Sequence, residues 1–257
     1  MYQNNMPIFK KHTILKASVL QSSFLENKMF MQKLYQGYSD GIVSGSHINV
    51  TGERLEIESG VVYYQGHLYV MEDSVENPYK PNANQQYLYL RFWEKKQDEF
   101  YEYYHTEFVL TTQKTTRANE MLFASFLLKE GAVLRQDYQS LEDFTTIHNT
   151  LNIIDTPYAS LGKPAFSPVI TEFIGKQILQ VYSIQPLDAA FAIECLKGQP
   201  VRYELIESYL ERRLGVNVDT TWERNKVFSL LCGAMKEIKK EEQNKTPERR
   251  QRRMILD

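Results

Sequence analysis

The residue types that most often carry chemistry are thinly spread in this sequence. There are five histidines, His12, His47, His67, His105 and His148, and none stands at a metal-ligand spacing from another or from a cysteine. His47 and His67 share one stretch of predicted strands, where a two-histidine site is conceivable but exposed strand histidines are far commoner. There is no Gly-x-Ser-x-Gly elbow for a serine nucleophile, and the cysteines lack a catalytic context. Gly162-Lys163 is followed by proline without the upstream glycine of a phosphate loop. Gly37, Gly41 and Gly45 precede strands instead of opening a helix, and their spacing of four is not a dinucleotide pattern. Asp98, Glu99, Glu102 and Glu107 lie in an aromatic hairpin, a composition seen in sugar-binding sites. A glycosidase needs two carboxylates about 5–10 Å apart across a cleft, and nothing separates these four from solvent-facing hairpin charges. The expectation is therefore no catalytic residue, no cofactor and no metal ligand, in a structural or interaction protein.

The elements that would position any site are legible from periodicity. Ile14 to Leu20 reads as a short strand. Ser23 and Glu26 match a capping box, and a helix is predicted over 23–36 with Gly37 ending it. From Ile42 to Met71 the apolar period changes to two, punctuated by Gly41, Gly45, Gly52, Gly60 and Gly66. This predicts a β-meander with a Gln65-Gly66 hairpin. Residues 87–94 and 100–110 pair as a hairpin across a charged turn, and 121–135 adds a further strand with a Glu130-Gly131 turn. Leu151 to Ile154 is a candidate strand. Residues 61–108 hold thirteen aromatics, so this sheet should pack one aromatic face and offer another, with Tyr87, Tyr89, Trp93, Tyr101 and Tyr103 as candidate interface residues.

A Pro/Gly/Ser-rich connector, PYASLGKPAFSP, marks the boundary to a helical half. Ser167-Pro168 starts one helix; others are expected at 187–197, 201–214 and from Thr220 to about Asn244, the last with a Thr220–Glu223 capping box. The fold class is α+β: an N-terminal aromatic-rich antiparallel β-domain with one early helix (1–160), a small α-helical bundle (161–245) and a basic tail (246–257). Lys236 to Arg253 carries eight Lys/Arg against four Glu. Either the tail docks on an acidic partner or on nucleic acid, or it is a solvated, frayed helix end, the last being favoured.

Composition narrows the function classes. With 42% hydrophobic and 24% charged residues the 257-residue chain is an ordinary globular protein, and a net charge of −2 argues against a general nucleic-acid binder. Cys195 and Cys232 both fall in predicted helices and read as buried thiols, not a bridge. The first twelve residues do not look like a signal peptide, and no apolar run approaches the length of a membrane span.

The segment SDGIVSGSHINVTGERLEIESGVVYYQGHLYVM, residues 39–71, resembles a pattern at the N-terminal ends of phage tail-fibre and baseplate proteins. The matching residues are Gly41, Ile42, Val43, Ser44, Gly45, Gly60, Gly66 and Tyr69. With LKEGAVLR and LNIIDTPYAS (151–160), the run over roughly 7–180 resembles a family of baseplate proteins from prophages and phage-tail-like bacteriocins of Gram-positive bacteria. Members of that family are sometimes labelled helicases, but this chain lacks the motifs for that activity. The resemblance implies a structural component of a contractile tail-like baseplate, joining the tail machinery to a fibre or receptor-binding protein. Its partners would be other baseplate proteins and further copies of itself, with no membrane and no nucleic acid, and its place a virion or tail-like particle assembled from the cytoplasm. The alternative is a receptor-binding module whose aromatic hairpin contacts a cell-surface glycan.

Overall fold

The protein, described here from a computed structural model, is seen at residues 14, 16–99, 102–219 and 223–252, the last helix by its backbone alone after 244. Tyr101 and the Thr220–Glu223 capping box fall outside the described residues or partly so. Helix α1 spans Ala17–Leu34 with Lys16 as its N-cap. Of the strand expected at Ile14 to Leu20, Leu15 lies outside the described residues and Ala17 to Leu20 form the first turn of a helix, and the Ser23–Glu26 box is not a helix start. The physical reason is that nothing from Ala17 onward breaks a helix, while Ser22 and Ser23 return their hydroxyls to the Val19 carbonyl at 3.0 and 3.1 Å. Bonding back to their own helix removes the competition that usually makes serine an end residue. Gly37, at φ +86°, turns the chain away just after the helix.

Eleven strands follow among the described residues: β1 Gly41–Gly45, β2 Ile48–Thr51, β3 Arg54–Ile57, β4 Gly60–Tyr64, β5 His67–Met71, β6 Val75–Pro78, β7 Gln85–Phe92, β8 Lys96–Gln97, β9 Glu102–Tyr103, β10 Thr106–Thr111 and β11 Glu120–Leu127. They form small antiparallel sheets in the orders β1-β4-β5, β2-β3-β6 and β10-β7-β11, with a β8-β9 ribbon. The expected meander is therefore split. β1 pairs with β4, while β2 and β3 leave as a hairpin that pairs with β6. Gly45 and Ser46, both left-handed at φ +62° and +56°, swing the chain out of the first sheet. The Gln65-Gly66 turn joins β4 to β5 with both residues at positive φ, the hairpin geometry whose twist suits the strands. At Leu151 to Ile154 there is no continuous strand: Asn152 makes an isolated bridge to Ser125, and Thr150, just before the segment, makes one to Arg135.

A short helix, α2 Leu141–Thr145, carries a capping box from Ser140 and Asp143. The helical half comprises α3 Pro168–Leu179, α4 Pro186–Cys195, α5 Tyr203–Leu214 and α6 Arg224–Arg252. Ser167 caps α3, its hydroxyl accepting from Val169 N at 3.3 Å, and proline fills the first position of α3 and α4. Gly215 ends α5 in the left-handed conformation. Both cysteines are free, Cys195 buried at the end of α4 and Cys232 half-buried in α6.

Two cores result. One is filled by Ile42, Leu55, Ile57, Leu88, Phe92, Phe123 and Phe126 from the sheets. The other joins α3–α6 through Ile170, Ile174, Phe191, Leu210, Phe228 and Leu231, and it also takes Leu141, Phe144, Ile154 and Phe166 from the preceding segment. Ile153 packs against both.

Candidate docking surface

Two of the three stretches that carry the sequence resemblance, 39–71 and 151–160, meet in space. Chain entering the sheets pairs with chain leaving them: Ser39 N donates to Ser160 O at 2.9 Å, Ile42 N to Pro157 O at 2.9 Å, Ala159 N to Ile42 O at 2.8 Å, and Gly162 N to Gly37 O at 2.9 Å. Gly41 is the close-approach point, since a Cβ there would lie 2.5 Å from Ala159 N. Val43 is bulged out of the register between Ile42 and Ser44. Ser44 then pairs with Val61, and Gly45 with Gly60.

The glycines of this joint serve different ends. Gly45 needs its positive φ, and a Cβ would also stand 2.2 Å from Ser59 O. Gly60 has no positive φ; there the constraint is space, because a Cβ would meet Ser46 Oγ at 2.2 Å and Ser46 N at 2.5 Å. Gly66 sits in open surroundings and needs only its φ of +81°. Tyr69 lies edge-on to Phe92 with ring centroids 5.1 Å apart and against Tyr104 at 6.3 Å, and burial raises its hydroxyl pKa.

A groove of about 740 Å³ opens beside the joint, between Tyr35, Tyr38 and Val43–Gly45 on one side and Val169, Glu172, Glu194, Pro200 and Arg202 on the other. Its charges are locally answered: Glu172 by Lys176 at 3.3 Å, Glu194 by Lys197 and Arg202 by Glu204. No group of three metal-capable side chains occurs among the described residues. His47 faces this groove, while His67, on β5, stacks near Tyr104 at 4.7 Å.

The candidate aromatics do not form one platform. Tyr89 is buried, and its hydroxyl accepts from Thr115 N at 3.1 Å. Tyr87 is half-buried beside it, ring centroids 6.2 Å apart. Trp93 is 45% exposed with the Arg91 guanidinium 5.7 Å from its ring centre, and Tyr103 is exposed with its hydroxyl on Asp98. Of the hairpin acids, Glu102 pairs with Lys95 at 2.6 Å, and that hydrogen bond lowers its pKa, the reverse of what a proton donor needs.

Two features gave little warning in the sequence. Helix α1 stands on the outside with no buried residue, and Phe24, Leu25, Met29, Phe30 and Leu34 are each more than half exposed. Inside the helical half, Arg213 lies 3.2 Å from Asp188 and 2.9 Å from Glu241, and Tyr209 Oη donates to Asp188 at 2.9 Å. This polar knot ties α4, α5 and α6 together. Apolar spacing announces a core, whereas a buried ion pair has no local signature.

No protein-family model matches the chain, and no curated protein does. Among solved structures, a crystal structure of TssK is similar at a TM-score of 0.41 and 8% identity, over 89% of this chain and 71% of that one. A chain of the type VI secretion system TssK-TssF-TssG baseplate subcomplex is similar at a TM-score of 0.38 and 10% identity, over 91% of this chain and all of the other.

Proposed function

We propose that the chain is a non-enzymatic structural component of a contractile tail-like baseplate, working through protein–protein contacts. The observation that supports this is the joint itself. GIVSG and DTPYAS, far apart in sequence, form one seam held by backbone hydrogen bonds, with Gly41 at a close approach that leaves no room for a Cβ. A motif used in this way serves placement of neighbouring elements, here α1 and the groove beside it. In the assembly the chain would contact other baseplate proteins and copies of itself around a closed symmetry axis, and link them to a fibre or receptor-binding protein. The test is immunogold imaging of a tagged chain in the producing strain. Label at the distal end of tail-like particles is expected, and purified particles that lack the chain would refute the proposal.

A second reading, recognition of a cell-surface glycan, draws on Trp93, whose exposed ring beside Arg91 is a surface on which a sugar can stack. A glycan array probed with the wild-type chain and Trp93→Ala checks it, and the absence of any Trp93-dependent signal removes it.

A further inference from the structure

Helix α1 is amphipathic in the wrong sense for a helix serving only its own domain. The face over the β4–β5 hairpin carries Lys28 and Gln32, which with Met31, Tyr63, His67 and Tyr104 line a cleft there. Met31 borders both this cleft and the apolar seam, while Leu20, Phe24, Phe30 and Leu34 do not line the cleft. Ala17, Leu20, Phe24, Asn27, Met31 and Leu34 follow one another in alternating steps of three and four, the spacing of a coiled-coil seam. Along it Leu20 is 39% exposed, Phe24 73%, Met31 39% and Leu34 56%, with Phe30 beside the seam at 66%. An unpaired seam of this kind is a contact waiting for a partner.

We infer that α1 pairs, parallel and in register, with α1 of a second copy of this chain. Three observations select that occupant. The first is area. Phe24 and Phe30 at these exposures present roughly 300 Å². With Leu20, Met31 and Leu34 the total is about 500–600 Å² per copy, most of the roughly 800 Å² that each partner gives to a stable interface. Flanking polar side chains supply the remainder.

The second observation is Asn27, a polar residue inside the seam. Its amide must be matched once water is excluded. In a parallel, in-register pair Asn27 lies opposite Asn27, whose carbonyl and amino groups are complementary. An antiparallel pair centred on the helix would set it against Phe24 and leave it unmatched. The third is charge. In the parallel register Lys16 lies across from Gln21 and Ser23 from Lys28, so the flanks hold no opposed like charges. This pairing does not depend on the baseplate reading and would stand if that reading failed.

The test uses the full-length chain and sedimentation equilibrium. The wild type is expected at an even multiple of the 30.2 kDa chain mass. Phe24→Glu with Leu34→Glu, both more than half exposed, is expected to fall to the single-chain mass with an unchanged circular dichroism melt. Asn27→Cys is expected to form an intermolecular disulfide on mild oxidation, which an antiparallel pair does not allow. A wild-type chain that stays single at its highest soluble concentration overturns the inference. So does a double variant that keeps the wild-type mass, or an associating Asn27→Cys chain that does not cross-link.

Discussion

Alanine at Gly45 and alanine at Gly66 separate two costs that a glycine turn can carry. Both glycines have left-handed backbones, φ +62° and +81°, so each alanine meets a conformational penalty of about 1–2 kcal/mol. Part of this is offset by the stiffer unfolded chain, by about 0.4–1 kcal/mol. At Gly66 nothing lies within 4 Å of the added Cβ, and the net loss should be near 1 kcal/mol. At Gly45 the Cβ would stand 2.2 Å from Ser59 O, the carbonyl that accepts from Ser46 N at 3.0 Å. That carbonyl must move, and Ser46 is buried, so an orphaned donor adds about 1–3 kcal/mol. Gly45→Ala should therefore cost about 3 kcal/mol in all, and Gly60→Ala, with crowding but no φ penalty, about 2 kcal/mol. Urea unfolding followed by far-ultraviolet circular dichroism, with a shared denaturant slope, measures all three. If Gly45→Ala and Gly66→Ala agree within about 0.5 kcal/mol, near the usual additivity error, the contact argument is wrong.

Arg213→Ala leaves Asp188 buried without its cation and should destabilise the helical half by about 3–5 kcal/mol. Adding Asp188→Asn should recover part of that loss, which a double-mutant cycle reads directly. Glu120 is raised by burial but lowered overall by hydrogen bonds from Arg91 and Thr115, and Asp143 is lowered by the Gln139 and Ser140 backbone amides together with Arg135. Both folded pKa values lie below the unfolded ones, so their stabilisation is present above about pH 4. It is lost as pH falls through the folded values, and Glu120→Gln should flatten the acid limb of a stability–pH curve. Burial pushes the Cys195 thiol up to about 12 and Cys232 up to about 11. A maleimide or disulfide reagent at pH 8 should therefore label the native chain far more slowly than the urea-unfolded chain, and equal rates would contradict the burial.

Much of the architecture was legible because it is local. Ser167-Pro168, Gly198, Gly215 and Gln65-Gly66 mark ends and turns through their own backbone preferences, and the structure places a boundary at each. What failed was partner choice. Alternation over 42–71 identifies strands but not which strands pair, and a left-handed Gly45-Ser46 pair sends β2–β3 to a different sheet. The α1 start was misplaced because Ser23 with Glu26 imitates a cap, and only the hydroxyl bonds back to Val19 reveal a mid-helix role. Of the joint, the glycines were visible and their neighbours were not. Gly60 reads as a turn residue, yet its reason is Ser46, which a one-dimensional pattern does not bring near it.

The pairing of 37–42 with 157–162 has a mechanical consequence. Between these two stretches the chain makes its whole excursion through the sheets and returns to where it left. A pull between α1 and the helical half would therefore be borne first by the four backbone hydrogen bonds of the seam. The strands would stay out of the load path until that seam opened. Tension applied in this way would open one short zip while the sheets remained folded.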